Sequence, residues 1–164
     1  MEPFHEYMAE YKKQLDKGAI QKAYKGLMEY MMVLRRHFQA TYPEYSVPGS
    51  IYFGYMDMTY FAVVPKTLKQ RNLKVAIVFI HESCRFEVWL AGANKQVQQK
   101  YWKLIKDSGW DIYHIVSTTK GVDSIVEHIL VDTPDFSDLD SLTKQIERTT
   151  LKFIDDVESF LAEQ

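Results

Sequence analysis

The densest chemistry in this sequence lies between His81 and Lys95. His81, Arg85, Glu87 and Trp89 set an imidazole, a guanidinium, a carboxylate and an indole close together, and Asn94 and Lys95 follow at the expected start of a helix. Suppose residues 82–84 turn the chain between two antiparallel strands. His81 then pairs with Arg85, Phe79 with Glu87 and Ile77 with Trp89, so the polar groups share one face. Ile80, Phe86, Val78, Val88, Ala76 and Leu90 make the other face, which is core. A slip of one residue would exchange the two faces. Asn94 is a natural N-cap, its side-chain oxygen accepting a free backbone N–H of the first turn. Lys95 is the less expected residue, because a cation there opposes the helix dipole by a few tenths to about 1 kcal/mol. Either it points to water, or something anionic sits beside it and the free N–H groups.

His81, Arg85, Glu87, Trp89, Asn94 and Lys95 are therefore the candidate ligand-binding residues. The same residues also make an ordinary strand-to-helix corner, with Trp89 and Trp102 half in the core and Glu87 paired with Arg85 or a lysine. Other chemistries find less support. No Walker-type or dinucleotide-binding glycine pattern occurs, and no nucleophile elbow. "HESCR" begins like a zinc-protease helix but lacks the second histidine. His81, His114 and His128 fall on or near expected strands, where scattered structural histidines are commoner than a metal site. "RFEVWL" has Trp89 where a metal-dependent nuclease would need lysine. Nothing marks Cys84 as an activated thiol. No catalytic residue, metal or cofactor is implied, and the reading leans away from an enzyme.

The elements that must position these residues are legible in outline. Phe4, Tyr7, Tyr11 and Leu15 lie on one helical face that Gly18 can end. Ile20, Tyr24, Leu27, Met31, Leu34 and Phe38 mark a longer helix, widened by Met28 and Met32. "SIYFGYMDMTYFAVVP" reads as a hairpin bending near Asp57. A short helical turn follows Pro65. "LKVAIVFIH" is apolar on both parities, as in a strand covered on both faces. "RFEVWL", "DIYHIV" and "SIVEHILVD" are further strands. The helix over residues 95–107 carries Gln96, Gln98, Gln99 and several lysines on a mostly solvated face. Ser137 or Asp138 caps a closing helix that runs through Phe160. The expected order, ααββ(α)ββαββα, is an α+β fold: a mostly antiparallel or mixed sheet of about five to six strands flanked by helices.

The 164 residues suit a single domain with a real core, and 46% apolar and 26% charged residues are ordinary for one. A single cysteine excludes an internal disulfide. The acidic start lacks the apolar run of a signal peptide, and no stretch is long and apolar enough for a membrane span, so the expected location is the cytoplasm, without membrane contact. The net charge of −2 hides an asymmetry: residues 12–106 sum to +10 and residues 107–164 to −9. Pairing of the two surfaces within the fold or between subunits is the plain account. A basic face meeting an anionic partner is the sharper one.

Over Tyr52–Pro65, Leu73–His81 and Arg85–Trp102 the chain resembles a family of uncharacterised bacterial proteins known only as a domain of unknown function, and the likeness extends over most of the chain. It implies a soluble bacterial protein and supplies no catalytic residues. The functional expectation is a non-enzymatic binding or interaction domain whose basic surface, centred on residues 66–106, meets an anionic ligand or a nucleic acid. Two alternatives stand beside it. One is a small-molecule enzyme or sensor with a pocket on the 81–95 surface. The other is a structural homo-oligomer, a homodimer in its simplest form, joined through helices 19–42 and 138–162.

Overall fold

The computed structural model describes residues 3–164. Two helices, α1 (Phe4–Asp16) and α2 (Ala19–Thr41), precede β1 (Met58–Val63), the short α3 (Lys66–Lys69), and the hairpin of β2 (Leu73–Ile80) and β3 (Arg85–Gly92). Then come α4 (Lys95–Ser108), the two-residue β4 (His114–Ile115), β5 (Ser124–Val131) and α5 (Leu139–Ala162). The five strands form one antiparallel sheet in the order β1-β2-β3-β5-β4. The α+β class and the order of elements are as expected, with one strand fewer. The first half of the expected hairpin is not a strand. Gly54 and Met56 both take positive φ, 74° and 64°, which breaks the extended run. Asp57 then accepts a hydrogen bond from the Tyr55 N–H at 2.9 Å. Only a single bridge, Tyr52 to Tyr60, remains of the pairing.

The β2–β3 register differs from the expectation by one residue. Ile80, not His81, faces Arg85, and Val78 faces Glu87 while Ala76 faces Trp89. The reason is the turn. Four residues, 81–84, connect the strands, with Cys84 at φ 54° and its N–H donating to the His81 carbonyl. The extra residue puts Leu73, Val75, Ile77, Phe79, Phe86, Val88 and Leu90 on one side, all buried. These pack with Met31, Leu34 and Phe38 of α2, Tyr101 and Ile105 of α4, and Ile146, Phe153 and Val157 of α5 into one core. The other side carries Met58, Tyr60, Lys74, Ala76, Val78, Arg85, Glu87, Trp89 and Ala91. None of these belongs to that core. The helical layer therefore covers one face, and the other meets a helix only at its end, where α4 begins.

A polar seam joins the two long helices. The Tyr30 hydroxyl and Thr143 Oγ1 lie 2.9 Å apart, His37 Nε2 is 2.5 Å from Glu147 Oε2, and the Tyr42 hydroxyl donates to Glu147 Oε1 at 2.7 Å. Burial pushes the Glu147 carboxyl up, but the hydrogen bonds from His37 and Tyr42 and the nearby imidazole together hold it below its ordinary value. Tyr42 is pushed up to about 12, by burial first and then by Glu147. Among the described residues, no helix is long and apolar enough to cross a membrane.

Gly92 sets how closely α4 approaches the end of β3. A Cβ there would stand 2.7 Å from the Gln98 backbone nitrogen. Gly92→Ala is expected to lower stability by about 1–3 kcal/mol, the usual cost of overpacking. Gly26→Ala in α2, where a Cβ meets nothing within 4 Å, should instead raise it by up to about 1 kcal/mol. Equilibrium urea unfolding of the two variants checks both signs.

Candidate functional site

The six candidate residues separate into three places. Trp89, Asn94 and Lys95 line a recess of about 270 Å³ where the helix-free face of the sheet runs into α4. Arg85 and Glu87 line a neighbouring, shallower depression with Tyr113, His114, Glu127 and Ile129. His81 lies on the opposite side of the sheet, in an apolar cavity of about 650 Å³ beside α2. The one-residue change of register is what removes His81 from the company of Arg85 and Glu87.

Arg85, Glu87 and Trp89 form a closed set. Glu87 is 5% exposed, and both its oxygens are used. Oε2 accepts from Arg85 Nε and lies 2.7 Å from Nη2, and Oε1 accepts from the Trp89 indole N–H at 2.8 Å. The buried carboxylate is thus neutralised and hydrogen-bonded, as burial requires. It braces the sheet face, and it fixes the plane of the Trp89 ring that walls the recess.

The cation at the start of α4 also has a structural partner. Asn94 caps the helix as expected, accepting from the Val97 N–H at 2.9 Å. Lys95 Nζ donates to the carbonyls of Val122 at 2.6 Å and Thr119 at 3.3 Å, with Asp123 at 3.9 Å. Those carbonyls and that carboxylate offset the unfavourable dipole. Gln98, expected on a solvated face, is 2% exposed and donates to the carbonyls of Val122 and Ser124. Gln99 bonds Thr119 and the Trp102 indole donates to Val116, so one side of α4 ties down the 116–124 loop.

The recess has two further members that sequence reasoning did not single out, Lys74 and Tyr60. Lys74 projects from β2 on the helix-free face, half-buried, with no hydrogen bond or ion pair among the described residues. The Tyr60 hydroxyl likewise has no hydrogen-bond partner among the described residues. Burial first, and then the nearby Asp123 carboxylate, raise the Tyr60 phenol, which keeps it a neutral donor. The available signal was Lys74 itself, the one charge inside the apolar run "LKVAIVFI".

In the apolar cavity, His81 stacks near Tyr24 and meets Phe79 edge-on. The buried Thr59 hydroxyl donates to the Phe53 carbonyl at 2.7 Å and lies 2.8 Å from His81 Nε2. A hydroxyl has one proton, so Nε2 donates to Thr59 and the neutral ring keeps its lone pair on Nδ1. Burial lowers the His81 pKa, and Asp57 opposes this only in part. His114 and His128 lie elsewhere, on β4 and β5. Among the described residues, no three His, Cys, Asp or Glu gather as a metal site would need.

A family model described as a domain of unknown function (DUF7000) matches residues 4–161. The chain belongs to the DUF7000 family. Comparison with curated proteins and with solved structures gave no match. The DUF7000 match runs from α1 to within the last turn of α5, so the recess, the Arg85–Glu87–Trp89 set and the apolar cavity all lie inside the family domain.

Two expected outcomes follow from these contacts. Glu87→Ala removes the acceptor of two donors, and Arg85 remains about one-third exposed and partly rehydrated. The cost should be about 2–3 kcal/mol in urea unfolding, and about 1 kcal/mol for Glu87→Gln, which keeps an acceptor. Because the folded state holds His81 below its ordinary value, the unfolded chain binds the extra proton first as pH falls. Stability should therefore decline from about pH 7.5 to about pH 5.5, and less steeply in His81→Gln. Unfolding midpoints across that range measure the difference.

Proposed function

We propose that this domain is a non-enzymatic binding module that holds a small anionic ligand carrying a flat ring, in the recess between the helix-free face of the sheet and the start of α4. The observation that carries this reading is the pair of unpartnered donors, the Lys74 ammonium and the Tyr60 hydroxyl, in a recess also lined by the Trp89 ring. A half-buried ammonium without a partner keeps its full capacity for a charge-assisted hydrogen bond. Trp89 offers a face for stacking, and its orientation is set in advance by Glu87. Preorganisation of this kind lowers the ordering cost of binding.

The reading retains Trp89, Asn94 and Lys95 as lining residues. It moves the recognition of negative charge from Lys95, which is engaged with the 119–123 loop, to Lys74. Arg85 and Glu87 act as supports, and His81 has no part. A nucleic acid is the larger anion this surface admits, since Lys100, Lys103 and Lys106 line the exposed side of α4 beyond Lys95.

The test is a thermal-shift screen of aromatic carboxylates and nucleoside monophosphates, followed by calorimetric titration of the hits. Lys74→Met should weaken a hit by about tenfold or more, the worth of one charge-assisted hydrogen bond. Trp89→Leu should weaken it as well, with both variants still folded. Hits that bind Lys74→Met as well as the native chain, or a screen without hits, would remove the proposal. Labelled oligonucleotides titrated at stepped salt separate the larger anion from the small one by the salt slope.

A further inference from the structure

Helix α1 has no buried residue. Phe4, Tyr7, Met8 and Tyr11 lie along one side of it at three- and four-residue steps and are 77%, 56%, 44% and 52% exposed. Its first turn lacks a side-chain cap. Its internal support is two exposed pairs, Lys12 with Asp16 and Gln14 with Glu10, each worth a few tenths of a kcal/mol. Thirteen residues with that support are marginal as a free helix in water. An aromatic stripe on a helix that nothing covers is therefore a surface awaiting a partner.

The same chain carries a matching cavity. The stripe of α2 begins at Ile20, yet burial begins only at Met28. The partly exposed first part, with Ile20, Tyr24 and Leu27, forms one wall of the apolar cavity of about 650 Å³, and Phe79, Phe136 and Leu139 line it further with Met56, His81 and Cys84. No residue of α1 lines it. Gly18, at φ 80°, joins the two helices. Charge agrees with apolar shape: α1 presents Glu6 and Glu10, and the cavity rim holds Lys22 without an ion pair among the described residues.

We infer that α1 of one copy lies in the apolar cavity of a second copy, and the reverse, so that the chain is a two-fold dimer by reciprocal helix exchange. One contact then covers both unsatisfied surfaces, as an isologous interface does. The stripe presents on the order of 500 Å² of apolar surface, taking aromatic side chains at roughly 150–250 Å² each. Two stripes and two cavities then bury about 2,000 Å², the size of a stable protein–protein interface. The inference is independent of the recess at Lys74, which lies on the other face of the sheet.

The experiment is light scattering coupled to gel filtration on the full chain over a range of concentrations. The expected result is twice the chain mass, lost at equal concentration in Tyr7→Ser/Tyr11→Ser and in Ile20→Glu. All three side chains are exposed in the single chain, so circular dichroism should show both variants folded. The decisive step mixes the two variants. One supplies an intact cavity and the other an intact α1, so the mixture should associate more tightly than either alone. A monomeric native chain, whether α1 stays free or folds onto its own cavity, would overturn the inference. So would a dimer indifferent to the α1 substitutions, which would point to the helix-free sheet face, or a mixture that gains nothing. Ligand binding by the native chain and by Lys74→Met is read separately and should not change in the α1 variants.

Discussion

Every surface of this protein depends on the register of the β2–β3 hairpin. A strand sends alternate side chains to opposite faces, so one residue in the connecting turn decides which side chains of β3 share a face with which of β2. The four-residue turn, closed by Cys84 in the left-handed region, delivers seven large apolar residues to the helices. It sends Lys74, Arg85, Glu87 and Trp89 the other way. The alternative register would have put on the packed face either Lys74, beside Phe86, Val88 and Leu90, or Arg85 and Glu87, beside Ile77 and Phe79. The turn and the hydrophobic pattern thus agree, and their agreement separates a packed face from a working face.

The outline of the fold was readable because it rests on periodicity. Apolar stripes at helical spacing identify α2, α4 and α5, Asn94 declares its own cap, and runs of β-branched and aromatic residues mark β1, β2, β3 and β5. The register was not readable, because "HESCR" contains no glycine or proline to reveal where the turn takes positive φ. A cysteine occupies that position, at a steric cost the sequence does not advertise. "LKVAIVFIH" was similarly ambiguous. It looks like a strand covered on both faces, yet Ala76 and Val78 are shielded by larger neighbours on adjacent strands, Tyr60 and Trp89 among them, and not by a helix. Of the candidate residues, Trp89, Asn94 and Lys95 line one recess, as their proximity in sequence suggests. Lys74 and Tyr60 reach the same recess from strands far earlier in the chain, and only the sheet order joins them.

Lys95 shows how a local anomaly can resolve at long range. The cation sits against the dipole of its own helix, and the chain answers with two carbonyls and a carboxylate from a loop more than twenty residues later. The same side of α4 contributes Gln98, Gln99 and Trp102 to that loop. The helix is therefore less a carrier of surface charge than a clamp on the segment leading into β5. The rim of the recess is rigid for that reason, while its floor, on β1 and β2, belongs to the sheet.

The seam between α2 and α5 has a consequence for the order of assembly. Its three bonds join residues 113, 110 and 105 positions apart, and α5 is the last element of the chain. The β1–β2–β3 meander closes through near neighbours and pays little loop entropy, whereas the α2–α5 pairing must wait for almost the whole polypeptide. Until α5 is in place, the apolar side of the hairpin lacks Ile146, Phe153 and Val157, and Tyr30, His37 and Tyr42 lack their seam partners. The twenty-four residues of α5 act as the latch that closes the helical layer over the sheet.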